Sequence, residues 1–160
     1  MNWWFILLVS LIIGAIIAWW VTSCVKEKLN MNYPVLHTLR SKLDKICNTM
    51  STNDEYNERM NNMCEKLRSI KIMRGDQSYT LNKERVHLCL HDAKGDEYDI
   101  NLLMYVFLHE CAHCVNETVG HDELFDEKFQ FLLKMAVLAG EFNPKIPIDL
   151  SYCKHNEHKS

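Results

Sequence analysis

The chain has 160 residues, 48% hydrophobic and 24% charged, with a formal net charge of −3. That is the length of one ordinary domain with material for a core. The slightly acidic balance argues against a nucleic-acid partner, which calls for a basic surface or stripe.

Seven cysteines, an odd number, fit a secreted disulfide framework poorly. They read as mostly reduced, buried, small apolar residues in a reducing setting.

Trp3 to Thr22 carries no charged residue. At about 1.5 Å per residue it reaches roughly 30 Å, the thickness of a hydrocarbon core. Trp3-Trp4 and Trp19-Trp20 mark its ends in the manner of aromatic belts, and Ser10 and Gly14 are tolerated in lipid. Residues 1–25 therefore read as one transmembrane anchor, meeting the bilayer through 3–22. A cleaved signal peptide fits less well, because no Lys or Arg precedes the apolar run. Val21-Thr22-Ser23-Cys24 loosely resembles a lipoprotein cleavage box, but Cys24 reads as a juxtamembrane thiol. Lys26 and Lys28 follow the span, which places the domain of this single-pass protein on the cytoplasmic side. Residues 26–33 read as a linker and 34–160 as the domain.

Pro34 opens a helix in which Val35, Leu36, Leu39, Leu43 and Ile46 recur at helical spacing, and the polar stretch Asn48–Asn53 is expected to break it. Asp54 can cap a second helix, with Tyr56, Met60, Met63, Leu67 and Ile70 as its apolar stripe. Val86, Leu88 and Leu90 alternate with His87, Cys89 and His91 as a strand, and Ala93–Asp96 reads as a turn. Asp99 or Asn101 caps an apolar helix through Leu102, Leu103, Val106, Phe107 and Leu108. After a loop at Thr118–His121, Phe125, Phe129, Leu132, Leu133 and Ala136 line a last helix closed by Gly140 and Pro144. The tail from Pro147 reads as irregular.

The apolar helix carries His109-Glu110-Cys111-Ala112-His113. On a helix, this His-Glu-x-x-His run sets two imidazoles one turn apart on one face, with a carboxylate nearby. A hydrolytic zinc ion takes three protein ligands and a water. His109 and His113 supply two, and the third must come from elsewhere. His121 follows Gly120, where glycine lets the chain turn back towards the metal; Glu127 and Glu141 are the rivals. Glu110 is the expected general base, taking a proton from zinc-bound water and passing it to the leaving amine. Tyr98, Tyr152 and His155 are possible oxyanion donors.

Cys111 and Cys114 form a Cys-x-x-Cys spacing, but Cys111 points away from His109 and both read as helix packing, while Cys89 reads as packing in the strand. His155 and His158 are tail residues. The strand Val86–Leu90 is either purely structural or an edge to which an extended substrate backbone could pair. Asn116-Glu117-Thr118 is a glycosylation sequon; a glycan there would crowd the loop between ligands, which favours a cytoplasmic domain.

His109-Glu110-x-x-His113, then Gly120-His121, then Phe125 four residues on, resemble the SprT-like and WLM-type zinc metallopeptidases of the zincin group. That resemblance implies zinc bound by His109, His113 and His121, a catalytic Glu110, and Phe125 packing the next helix. It covers about Arg85 to Gly140. Small proteins of this kind occur in large DNA viruses, and the chain looks similar to them. Many members of these families act on proteins crosslinked to DNA, a role that the anchor and the missing basic stripe argue against here.

The expected fold is α+β: a minimal zincin-like domain with a small sheet and a central zinc helix behind one transmembrane helix. The expected function is zinc-dependent hydrolysis of peptide bonds in a protein or peptide substrate, at a cellular or virion membrane. The alternative is a catalytically silent, zinc-stabilised structural or interaction protein of a membrane or virus particle.

Overall fold

The computed structural model describes residues 3–52, 58–149 and 152. Among them the chain forms five helices and one three-stranded sheet, a mixed α+β architecture behind an N-terminal apolar helix.

Helix α1 (Trp3–Met31) is long and apolar enough to cross a membrane, over Leu7–Leu29. It runs on past the apolar segment, so residues 26–31, expected as linker, are its last turns. Only Asn32 and Tyr33 separate it from the next helix. The helix end reaches the domain directly, where Lys71 Nζ lies 3.6 Å from Glu27 Oε1.

Helix α2 (Pro34–Ser51) begins on Pro34, whose fixed φ suits a first turn. Its expected stripe is buried and extends to Cys47 and Met50. That apolar continuation carries the helix through much of the polar stretch expected to end it. Helix α3 (Glu58–Ser69) buries Cys64 and Leu67 against α2. Asp54 and Tyr56, expected as its cap and first stripe residue, lie outside the described residues. Arg40 on α2 donates to the carbonyls of Leu67, at 3.1 Å, and Ile70. These are orphan acceptors at a helix end, so the guanidinium fixes the exit from α3 into the sheet.

Strands β1 (Lys71–Arg74), β2 (Tyr79–Leu81) and β3 (Arg85–Leu88) pair in the order β1-β3-β2. β1 runs parallel to β3 with Ile72 opposite Val86, and β2 runs antiparallel with Thr80 opposite Val86. The strand expected over Val86–Leu90 is therefore the middle one, not an edge. Val86 and Leu88 are fully buried, and one face of the sheet packs on α2 and α4. The edges are β1 and β2, whose four and three residues are too short to show alternation in sequence.

Helix α4 (Ile100–Val115) is capped by Asp99, whose side chain accepts the Asn101 N–H. Leu103, Met104, Phe107, Leu108, Cys111 and Ala112 on it are fully buried, so it forms the centre of the core, between α5, β2 and β3. Helix α5 (Glu123–Leu138) is capped by Asp122, which accepts from the Phe125 N–H. Phe125, Phe129, Leu132, Met135 and Ala136 are its buried face.

Cys47, Cys64, Cys111 and Cys114 are buried free thiols, and Cys24 is a half-buried one. Cys89 departs from the reading as a reduced packing residue: it is disulfide-bonded. Cys153, His155 and His158 lie outside the described residues.

Candidate metal centre

His109 and His113 sit one turn apart on the face of α4 that looks towards α5 and the loop between them. After Asn116 the chain leaves the helix, and Gly120 takes φ +98°. This left-handed conformation favours glycine, and it turns His121 back over the helix. One potential ligand nitrogen from each of the three imidazoles then falls within 4.8 Å of the others. His109 Nε2 and His121 Nε2 are 3.0 Å apart. Three imidazole nitrogen donors converging on one point suit a transition metal, so the cluster could hold a metal ion.

The rings are held from below by one side chain. The buried Phe125 ring lies with its centroid 5.0 Å from that of His109, 4.4 Å from His113 and 4.6 Å from His121. Phe129 adds an edge contact to His109. Burial, and next the neighbouring imidazoles of His113 and His121, push the His109 pKa down to about 4, against the pull of Asp126. Burial and His121 also lower that of His113. Both effects favour the neutral imidazole, the form that can bind a metal.

Glu110 lies on the next ridge of α4, 6% exposed. Burial raises its pKa, opposed by a hydrogen bond from Thr80. That bond runs from Thr80 Oγ1 to Glu110 Oε2, at 2.8 Å, and the same hydroxyl is 3.0 Å from the Glu110 carbonyl oxygen. Glu110 and the three histidines open on one cleft of about 550 Å³, walled by Tyr79, Thr80 and Lys83 on one side and Thr118 and Val119 on the other.

The end of α4 is capped by two lysines. Lys128 on α5 donates to the Val115 carbonyl at 3.0 Å and to Asn116 Oδ1 at 3.3 Å. Lys83, from the β2–β3 turn, donates to the carbonyls of Asn116 at 2.7 Å, Glu117 at 2.8 Å and Thr118 at 3.4 Å. The Asn116 amide donates to Thr118 Oγ1 and Asp122 Oδ1. The sequon asparagine is thus buried, and its side chain is committed to the loop.

Other expected candidates fall elsewhere. Glu127 is exposed on α5 outside the cluster. Glu141 is taken by Lys42 Nζ at 2.7 Å and Lys45 Nζ at 2.8 Å. Cys111 and Cys114 stay buried, with burial pushing the Cys111 thiol up and that of Cys114 to about 11. The Tyr152 hydroxyl is bonded to Ser78 Oγ at 2.7 Å and the Cys89 carbonyl at 2.5 Å. Tyr98 packs its ring on that of Tyr152. Thr80 and Lys83 escaped sequence reasoning. Their signal was the short Asn82-Lys83-Glu84 link between Tyr79-Thr80-Leu81 and the next strand, a hairpin spacing.

Three viral proteins are similar to this chain. It is 41% identical over 86 residues to uncharacterized protein 042R of Invertebrate iridescent virus 3, covering 53% of this chain and 54% of that protein. It is 31% identical over 137 residues to uncharacterized protein 136R of Invertebrate iridescent virus 6, covering 84% and 71%. It is 37% identical over 109 residues to uncharacterized protein R325 of Acanthamoeba polyphaga mimivirus, covering 66% and 50%. The matched stretches thus span about half the length of 042R and R325. No family profile and no solved structure matches. With most of its length aligned to most of protein 136R, the chain belongs to the family of that iridescent-virus protein.

Proposed function

We propose that this chain is a membrane-anchored zinc-dependent peptidase, held by α1 in a cellular or virion membrane with its domain on the side of Lys26 and Lys28. The observation that carries the reading is the convergence of His109, His113 and His121 beside a buried Glu110 at one cleft. The resemblance to SprT-like and WLM-type zincins, in those residues and Phe125, supports it.

The donor set fits zinc: His109, His113 and His121 would hold the ion and, among the described residues, no thiolate or carboxylate joins the cluster. Three protein ligands are the number that hydrolytic zinc sites use, and with these three a bound zinc would keep a place for water or substrate. Bound there, zinc supplies Lewis-acid polarisation of a carbonyl and acidifies water. Glu110 accepts the proton of the attacking water and returns it to the leaving amine. Its raised pKa, a consequence of burial, brings it nearer to neutral pH, where a base that must also act as an acid works best. Thr80 holds one carboxylate oxygen, which leaves Oε1 for the proton. The edge strand β2 forms a wall of the cleft, so a substrate in extended form can pair with it through main-chain hydrogen bonds.

The test is Glu110→Gln in the full chain in detergent. The variant is expected to keep zinc and to lose cleavage of an unfolded protein substrate. Cleavage at the parent's rate would end the mechanism. A parent that binds zinc but cleaves nothing would favour the zinc-stabilised structural protein.

A further inference from the structure

The geometry points to Lys83 as a positioning residue for the third metal ligand, its ammonium fixing the loop that presents His121. The inference rests on the reading of His109, His113 and His121 as a metal site.

The loop has little packing of its own. Glu117, Thr118, Val119, Gly120 and His121 are all exposed, Val119 at 95%. A segment with so few buried contacts opens readily unless hydrogen bonds hold it. Inside the loop, Asn116, Thr118 and Asp122 bond to one another. From outside, Lys83 reaches the carbonyls of Asn116, Glu117 and Thr118 in succession. His121 follows three residues later.

The backbone at Lys83 supports the same conclusion. Asn82 and Lys83 have φ of 53° and 57° and are the non-glycine residues with positive φ among those described. The Glu84 N–H donates to the Leu81 carbonyl at 3.1 Å across them, a tight turn in which glycine is the preferred second residue. A lysine sits in a conformation that disfavours it, and what it adds over glycine is the side chain. Strain of this kind persists where surrounding contacts over-determine it.

Capping of α4 alone does not account for Lys83, because Lys128 already serves the Val115 carbonyl. Lys83 bonds beyond the helix, to the chain that leads to the ligand. The same hairpin carries Thr80, which holds Glu110. One short turn therefore sets the base on one side and the third imidazole on the other.

The test uses the full chain in detergent micelles, with zinc alone as the probe and a competing chelator to read affinity. Lys83→Gly relieves the turn and removes the ammonium; Lys83→Met removes the charge and keeps most of the bulk. Both are expected to weaken zinc binding about tenfold or more, the effect typical of losing a group that orients a ligand. Amide exchange at 117–121 in the metal-free chain is expected to quicken. The Tm of metal-free Lys83→Gly is expected to equal or exceed that of the parent. Zinc affinity within twofold of the parent in both variants would overturn the inference. So would a lowered metal-free Tm in both, which would mark Lys83 as a general structural residue. If the parent takes up no zinc, or His121→Ala binds as tightly as the parent, the metal reading itself fails and the inference falls with it.

Discussion

Thr80 Oγ1 donates to Glu110 Oε2 at 2.8 Å, joining the edge strand β2 to the helix that carries two of the three imidazoles. A threonine hydroxyl has one proton to give, and here it is shared between the carboxylate and the carbonyl of the same residue. The contact restrains the carboxylate without neutralising it. Thr80→Val keeps the shape and the strand preference of the side chain and removes the donor. Turnover is expected to fall roughly tenfold, as when a partner of an active-site group is lost. Zinc content should not change, because Thr80 is not one of the imidazole contacts. Paired measurements of kcat and zinc stoichiometry check this; a variant that loses zinc, or keeps full turnover, would show that the hydroxyl has another role.

Phe125 offers a test on the other side of the metal cluster. Its ring touches all three imidazoles and is 1% exposed. Phe125→Ala removes the wall that sets the ring orientations and opens a cavity between α4 and α5. Truncating a buried phenylalanine costs about 3–5 kcal/mol. Denaturant unfolding of the metal-free chain should show that loss, and zinc affinity should fall with it. Undiminished affinity in a folded variant would mean that helix geometry alone aligns the imidazoles.

How much of this could be read from the chain depended on how far apart the cooperating residues lie. His109, Glu110 and His113 belong to one helix, and helical period alone fixes their relation. The Asp99 cap and the buried stripes of α2 and α5 are equally local. His121 was legible because Gly120 announces the turn. The partners of the base were not. Thr80 reaches Glu110 across thirty residues through a strand of only three, which carries almost no periodic signal. The order of the sheet was also hidden, since β1 lies next to β3 and not to β2. Short strands take their place from tertiary packing, here against α2 and α4, more than from their own sequence.

The loop at the end of α4 makes the sequon testable. Asn116 is 2% exposed; its amide donates to Thr118 and Asp122, and its oxygen accepts from the buried Lys128. Asn116→Ala would leave the Lys128 ammonium short of an acceptor, a loss of about 1–3 kcal/mol. Thermal melts should show the destabilisation. Expression of the folded domain in a glycosylating lumen should yield no glycan at Asn116, and a mass shift there would contradict the buried placement of the side chain.

Glu141 gives the fold a pH dependence that is separate from the metal site. Its carboxylate is 8% exposed and bonds Lys42 and Lys45, tying the chain after α5 to α2. Burial alone would raise its pKa, but hydrogen bonds and charge from the two lysines outweigh it and hold the group below the ordinary 4.5. A carboxyl whose folded pKa is depressed binds protons more weakly when folded than when unfolded. Its contribution is therefore complete above about pH 4.5 and disappears as the pH falls through the folded value. Glu141→Gln should lower stability at pH 7 by about 1 kcal/mol, the upper range for a partly exposed pair. In acid below the folded pKa, parent and variant should converge, because the parent then carries a neutral carboxyl too. Melting curves at pH 7 and pH 3 on chelated protein make the comparison without the metal. A gap that persists unchanged at pH 3 would mean that Glu141 acts through packing, and that the two lysines add nothing through charge.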